Sequence, residues 1–317
     1  MSVLTGTPWE GARAEPLAGD ASSRRYSRLH LGERSAILML DPEGDTALFA
    51  RLARHLRAIG LSAPGILAER PGELLLEDLG DGLVARLATS PEAERRLYLC
   101  ATDALIALHG HPPPEELTRA TPERLAAMTD LAFDWYAGGQ DDARTACADA
   151  FREALERHAP VADVMILRDY HAENILYLPD RSGPAQAGLL DFQDALTGHR
   201  AYDLVSLLED ARRDVAPDTV EACLRHYLDR TGTAEVAFRA AFAVLGAQRN
   251  LRILGVFARL AATRGKPGYL ALIPRVWGHL RNDLAHPALA GVRGTLTRLP
   301  APDAAWLERL RTSCPTP

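Results

Sequence analysis

The chain has 317 residues, of which 47% are hydrophobic and 25% are charged, close to the averages for soluble globular proteins. Its net charge of −6 argues against a general nucleic-acid-binding or anionic-membrane surface. The sequence also lacks a signal-peptide pattern and any apolar run near the roughly 18 residues that a membrane span needs. We therefore expect a cytoplasmic protein with no membrane, nucleic-acid or obligate protein partner.

The first eighty residues have the pattern of a small β-rich unit. Three short strands are predicted within residues 14–42, because apolar runs alternate there with turn-forming segments. A helix is predicted from Thr46, as its N-cap, to Ile59, followed by a strand over Gly72–Leu76. The Gly- and Asp-rich segment 77–82 then interrupts the pattern.

From Pro91 onward the pattern is mainly helical. Amphipathic or apolar helices are predicted over 91–109, 142–158, 202–230, 234–263 and 268–284, and short apolar runs at 164–167, 175–178 and 187–190. We therefore predict an α+β fold with a nucleotide-binding lobe at 1–78. A helical lobe with the catalytic and acceptor sites would follow at 79–317.

Two segments carry the chemistry. In Leu-Arg-Asp-Tyr-His-Ala-Glu-Asn (167–174), Asp169 precedes Asn174 by five residues, and Asp191 follows seventeen residues later in Leu-Leu-Asp-Phe-Gln-Asp (189–194). Phosphoryl transfer from ATP uses one carboxylate near the attacking hydroxyl and an Asp/Asn pair that holds Mg²⁺. The spacing therefore predicts a kinase site, although an Asp capping a turn would be a purely structural alternative for Asp169.

With these segments the chain resembles the aminoglycoside phosphotransferase-like branch of the protein-kinase fold. Within that branch it is most similar to the anomeric kinases for N-acetylmuramate and N-acetylglucosamine. The resemblance implies a bilobal fold, a small antiparallel β-rich N-lobe, a larger helical C-lobe, and MgATP as cosubstrate. It also implies that Asp169 is the catalytic base and that Asn174 and Asp191 are magnesium ligands.

Four further residues near the catalytic segment take their expected roles from this resemblance. His171 is expected either to brace the loop or to approach the substrate, and Asp194 to contact metal-bound water or the loop backbone. Asp203 is expected to hold the loop from beneath. Leu167 stands where the family usually has a histidine that braces the loop, which leaves the bracing of this loop open.

The segment Gly19–Tyr26 resembles the phosphate-covering loop of the amino-sugar kinases. Ser22 and Ser23 offer backbone N–H and hydroxyl groups to phosphate, as a glycine-rich loop does. The lysine that usually pairs with phosphates on the third strand is missing, since Lys266 is the only lysine. Either Arg24 or Arg25 replaces it, which a guanidinium can do by bidentate binding, or the chain is a pseudokinase.

Nucleotide and acceptor contacts are expected from three other segments. The crossing at Glu77–Leu79 resembles the hinge whose backbone reads adenine. Trp135 resembles an aromatic platform for a sugar ring. On an otherwise apolar helix, Arg249 and Asn250 bind the acceptor or are packed core polar residues.

The expected activity is phosphorylation of the anomeric hydroxyl of N-acetylmuramate or N-acetylglucosamine, with ATP and the sugar as small-molecule partners. Alternative acceptors are aminoglycosides, homoserine or choline. A pseudokinase and a metal-dependent hydrolase built on Asp169, His171 and Asp191 are the alternatives of other classes.

Overall fold

The structure, a computed structural model, describes residues 2–17, 24–139 and 141–312. Its strands are β1 (Arg13–Leu17), β2 (Arg25–Leu31), β3 (Arg34–Leu40), β4 (Ile66–Arg70), β5 (Glu73–Glu77), β6 (Val164–Ile166), β7 (Ile175–Tyr177), β8 (Ala187–Leu189) and β9 (Leu196–Gly198). Its α-helices are α1 (Thr46–Ala58), α2 (Val84–Leu87), α3 (Pro91–Leu108), α4 (Pro122–Ala127), α5 (Asp141–His158), α6 (Tyr202–Leu208), α7 (Pro217–Thr231), α8 (Glu235–Arg264), α9 (Ile273–Leu284), α10 (Ala290–Thr295) and α11 (Ala304–Thr312).

The N-terminal sheet is antiparallel, with the strand order β1-β2-β3-β5-β4. Four of these strands follow the predicted pattern, but β4 was not predicted. Its sequence, Ile-Leu-Ala-Glu-Arg, does not alternate apolar and polar residues, because the exposed position 67 is a leucine. Its pairing with β5 also shifts register between Ile66 and Ala68. The sheet and the mainly helical remainder confirm the expected α+β class.

Helix α1 packs its apolar side into the same unit as the sheet. Leu52 and Leu56 are fully buried, and the ring centroid of Phe49 lies 4.7 Å from that of Phe192. The N-cap is Asp45, whose carboxylate accepts from the Leu48 N–H at 2.8 Å. The prediction of Thr46 as the cap was wrong, because its hydroxyl instead accepts from the Gly72 N–H in the β4–β5 turn.

The contacts within the chain divide it into two compact units. Met1–Pro114 pack with Asp169–Ala195, and Glu115–Arg168 pack with Leu196–Pro317. The predicted boundary after residue 78 separates a nucleotide-binding lobe from a catalytic lobe, and this division stays a prediction. In the first unit, the β7–β8 hairpin is held by the Ser62 carbonyl, which accepts from the Leu189 N–H at 2.7 Å.

The second unit is built around the thirty-residue helix α8, which contacts α5, α6, α9 and the π-helical turn Ala132–Tyr136. Gly255 makes the contact with that turn possible, since a Cβ atom at this position would collide with the backbone of Leu131. The predicted long helix over 202–230 is divided into α6 and α7. None of the helices in the described ranges is long and apolar enough to cross a membrane.

Candidate active site

The β7–β8 hairpin brings the two predicted metal ligands to the same end. Ile175 pairs with Leu189, so Asn174 precedes one strand where Asp191 follows the other. The Asn174 carbonyl accepts from the Leu190 N–H at 3.0 Å, which fixes the backbones beside each other. Asn174 and Asp191 are seventeen residues apart in the sequence, and they lie beside each other because the residues between them form a hairpin.

The catalytic segment is tied to itself by short bonds. The Asp169 carbonyl accepts from the Asn174 side-chain amide at 2.9 Å and from the His171 N–H at 3.2 Å. The buried hydroxyl of Tyr170 donates to the Ala101 carbonyl on α3 at 2.8 Å. These bonds fix the backbone that carries the half-buried Asp169, as a positioned general base requires.

His171 is buried within this loop, with 6% of its surface exposed. Its Nε2 lies 3.3 Å from the Asn174 amide nitrogen, and its carbonyl accepts from the Asn174 N–H at 2.8 Å. Both contacts stay within the loop. The geometry therefore favours the bracing role over contact with a substrate.

Asp203 holds the two residues just before Asp169. Its two carboxylate oxygens accept from the N–H groups of Leu167 and Arg168, at 2.6 and 2.8 Å. Asp203 is fully buried, and so is the Leu167 side chain, which packs as an apolar residue where the family has a histidine. In this chain the backbone N–H groups of Leu167 and Arg168 make the hydrogen bonds that brace the loop, both to Asp203.

Asp191 has a left-handed backbone, with a φ of 56°. This conformation is uncommon for residues other than glycine, and such strain is often concentrated at functional sites. Burial, aided by the charges of Asp169 and Asp194, raises the pKa of Asp191, although hydrogen bonding by Gln193 and the charge of Arg24 lower it. The site thus concentrates negative charge that a cation would relieve.

Arg24 and Arg25 point to different surroundings. The Arg24 guanidinium donates to Asp41 at 2.9 Å and to Asp191 at 3.2 Å, and its side chain is 17% exposed. Arg25 is exposed and lines an open groove of about 720 Å³ beside α1 and the β4–β5 turn. Ser22 and Ser23, which are predicted to contact phosphate, lie outside the described residues.

The donor set fits magnesium. The Asn174 amide nitrogen is engaged by the Asp169 carbonyl, which leaves the amide oxygen as the group for a ligand. Asp191 adds a carboxylate, and oxygen donors from few side chains, completed by phosphate and water, suit Mg²⁺. In the described part of the chain, no group of three His, Cys, Asp or Glu side chains could hold a metal by themselves. A self-contained metal-hydrolase centre is therefore not seen there.

The proposed hinge is held by ion pairs. The Glu77 carboxylate accepts from Arg57 at 2.8 Å and from Arg181 at 2.7 Å, and the Glu77 N–H donates to the Gly65 carbonyl. Both its side chain and its amide are thus engaged within the unit. Leu79 follows the strand and is half-buried, and its role in reading adenine stays a prediction.

Apart from His171, the residues predicted to contact the acceptor lie in the second unit. Trp135 is 36% exposed on the π-helical turn, while Arg249 and Asn250 are 5% and 1% exposed. Arg249 donates to Ser206, and the Asn250 amide donates to Glu209 and Asp283. Asn250 therefore fits the alternative of a packed core polar residue, and a sugar contact by Trp135 stays a prediction.

Three contributors were missed from the sequence. Asp41 orients Arg24, Gln193 donates to Asp191 at 2.8 Å, and Ser206 donates to the Arg168 carbonyl. Asp41 directly follows an apolar strand and Gln193 lies inside the Asp-Phe-Gln-Asp segment, so both carried a positional signal. Ser206 carried none, because a serine inside an apolar helix has no distinctive pattern.

The comparison with known families agrees with this geometry. Residues 13–239 match the model of the phosphotransferase enzyme family, APH. The chain belongs to this family. The resemblance expected from the catalytic segments is thereby confirmed, and α8 with Arg249 lies mostly beyond the matched range.

Several relatives resemble the chain over most of its length. An N-acetylmuramate/N-acetylglucosamine kinase from Caulobacter vibrioides is 40% identical, with 94% of each chain covered. A kinase of the same name from Pseudomonas aeruginosa is 33% identical, over 90% of this chain and 88% of the relative. A homoserine kinase from Pseudomonas aeruginosa is 30% identical over 67% of this chain and 70% of its own.

Solved structures share the fold. A choline/ethanolamine kinase family protein from Mesorhizobium loti has a TM-score of 0.64 at 18% identity, covering 98% of this chain and 96% of its own. A spectinomycin phosphotransferase, solved with ADP and spectinomycin, has a TM-score of 0.57 at 13% identity, covering 90% and 92%. At these identities the likeness establishes the kinase-like fold alone.

Proposed function

We propose that the protein is an ATP-dependent kinase that phosphorylates the anomeric hydroxyl of N-acetylmuramate and N-acetylglucosamine. The observation that carries this proposal is the 40% identity, over 94% of both chains, to a kinase named for these sugars. The proposal includes MgATP as cosubstrate, a cytoplasmic location and a role in peptidoglycan recycling. The partners are then the sugar and the nucleotide.

In the proposed reaction Asp169 orients the anomeric hydroxyl and accepts its proton as the oxygen attacks the γ-phosphorus of ATP, and the bond from that phosphorus to the bridging oxygen breaks to release ADP. Asn174 and Asp191 would hold magnesium through side-chain oxygens. When bound, that ion would neutralise charge on the phosphate oxygens. Arg24 would supply the second positive charge that the missing lysine leaves to another residue.

An acceptor panel tests the proposal. Purified protein is given MgATP with N-acetylmuramate, N-acetylglucosamine, homoserine, choline or kanamycin, and ADP release is measured. The product is located by phosphorus NMR and by loss of the reducing end, because an anomeric phosphate blocks that end. Asp169→Asn is the control, and its turnover is expected to fall by about 10²–10⁴-fold while nucleotide binding persists.

Homoserine phosphorylation is the second candidate, because the homoserine kinase relatives match about two thirds of the chain. A product that keeps its reducing end, or turnover only with homoserine, would contradict the sugar assignment. If Asp169→Asn keeps wild-type turnover, the assignment of Asp169 as the base is wrong. ATP binding without turnover on any acceptor would favour the pseudokinase.

A further inference from the structure

We infer that Ser206 and Arg249 are positioning residues that hold the catalytic loop through the carbonyl of Arg168, the residue before the base. The inference concerns the same site as the proposed function, and its kinetic part rests on Asp169 being the base. It assigns Arg249 a role different from the acceptor contact expected from the sequence.

A chain of two hydrogen bonds connects α8 to the loop. The Arg249 Nη2 group donates to the Ser206 Oγ at 2.7 Å, and that hydroxyl donates to the Arg168 carbonyl at 3.0 Å. A guanidinium has donors and no acceptor, so the serine oxygen must accept from Arg249. The serine proton is then directed to the loop.

Arg168 needs such support because its φ is 71°, in the left-handed region that non-glycine residues adopt at a cost. Its N–H donates to Asp203, and its carbonyl accepts from Ser206, so both backbone polar groups are held by α6. Asp203 and Ser206 are three residues apart and therefore share one face of that helix. The next residue in the chain is Asp169.

Without Arg249 the Ser206 hydroxyl has a second available hydrogen-bond acceptor. A serine within a helix commonly donates to the carbonyl four residues earlier, which for Ser206 is that of Tyr202. A guanidinium that donates to the serine oxygen leaves the serine proton for the bond to Arg168. Ser206 and Arg249 are 0% and 5% exposed, so water does not readily replace either bond.

The guanidinium of Arg249 is buried, and its charge lowers the pKa of the neighbouring Glu209. A buried guanidinium has a desolvation cost that an apolar side chain of similar volume avoids. Among the described residues, Nη2 has its bond to Ser206 while the buried Nη1 has no hydrogen-bond partner. The hydrogen bond that the structure gives Arg249 leads through Ser206 to the Arg168 carbonyl.

Steady-state kinetics of Ser206→Ala and Arg249→Met test the relay. Each variant is expected to lower kcat by about tenfold or more for both amino sugars, while the KM values change by less than about twofold. The double variant is expected to be no slower than the slower single variant, because both remove one interaction. Arg259→Met, an exposed position on the same helix, is the matched control and keeps wild-type kinetics.

Direct binding of the acceptor by Arg249 gives another pattern. Arg249→Met would then raise the KM for N-acetylmuramate, which has a carboxylate, and leave N-acetylglucosamine and Ser206→Ala unaffected. That result would overturn the positioning role. Additive losses in the double variant would also overturn it.

Hydrogen exchange of the peptide covering 167–174 tests the relay without any acceptor. Faster exchange in both variants, with unchanged exchange in β2 and β3, supports it, and unchanged exchange of the loop overturns it. A wild-type protein that phosphorylates no amino sugar refutes the proposed function, and the exchange result still decides the relay. Should Arg249→Met fail to fold, Ser206→Ala, which removes one buried oxygen, decides alone.

Discussion

Arg24 and Arg25 are neighbours in the sequence whose side chains have different surroundings. Only Arg24 contacts the predicted metal ligand Asp191, and Asp41 holds it there from the other side. Strand alternation predicts that only one of two adjacent residues faces the site. The structure places Arg24, the residue just before β2, there. In the nucleotide complex we expect Arg24 to exchange its contact with Asp191 for a phosphate oxygen.

Arg24→Gln is expected to raise the KM for ATP and lower turnover, whereas Arg25→Gln behaves almost as wild type. Loss of a charge-assisted phosphate contact costs on the order of 1.5–3 kcal/mol, or about 10- to 100-fold in kcat/KM. Steady-state kinetics with varied ATP measures the effect, and thermal melts check folding. Equal losses in both variants would show that Arg24 has no special role.

At the scale of elements, the close approach of α8 to the π-helical turn determines how Trp135 is presented. In that turn Phe133 and Tyr136 are buried, and the Tyr136 hydroxyl donates to the Pro300 carbonyl at 2.7 Å. Trp135 is thereby left as the partly exposed aromatic. Gly255 allows this packing, since any side chain there would displace the Leu131 backbone.

Two glycine substitutions separate packing from helix propensity. Gly255→Ala is expected to destabilise the protein by about 1–3 kcal/mol, the usual cost of overpacking. Gly278→Ala, in α9 with open space around its added Cβ, should be neutral or stabilise by up to about 1 kcal/mol. Urea titrations of both variants measure the difference, and equal stabilities would argue against the Leu131 contact.

At the scale of the whole molecule, a buried acid cluster couples stability to pH. Glu209 and Asp283 both bind the Asn250 amide, which connects α6, α8 and α9. Burial raises the pKa of Glu209 to about 7, although hydrogen bonds with Asn250 and Asp283 and the charge of Arg249 lower it. Burial, together with the charge and hydrogen bond of Glu209, raises the pKa of Asp283 well above its ordinary value. The folded state therefore retains a proton that the unfolded chain releases near pH 4.5.

The sign of the effect follows from proton binding. Because the folded pKa lies above the unfolded one, this contribution to stability is complete below about pH 4.5 and is lost as pH rises through 7. Glu209→Gln, which mimics the protonated form, should equal wild type near pH 5 and exceed it by about 1–3 kcal/mol at pH 8. Denaturant titrations at both pH values test this, with the exposed Glu153→Gln as control.

The sequence predicted the parts of the molecule that have short-range signals. Period-two and period-3.6 patterns located the first three strands and most helices. The short apolar runs at 175–178 and 187–190 located the two strands of the hairpin that joins Asn174 to Asp191. The left-handed backbones of Arg168 and Asp191, and the contact from Ser206 to the loop, depend on tertiary packing. No local pattern encodes them, which is why the sequence left Arg249 between an acceptor contact and a packed core polar residue.

The order in which the first unit is assembled has a consequence for biosynthesis. Residues up to Pro114 emerge from the ribosome before the Asp169–Ala195 segment that packs with them, and fifty-four residues of the second unit come between. Until then, Phe49 lacks the ring of Phe192 and the Ser62 carbonyl lacks the Leu189 amide. No single cut of the chain releases either unit intact, so a nascent or truncated chain that ends at 114 presents an unfinished apolar surface instead of a separable domain.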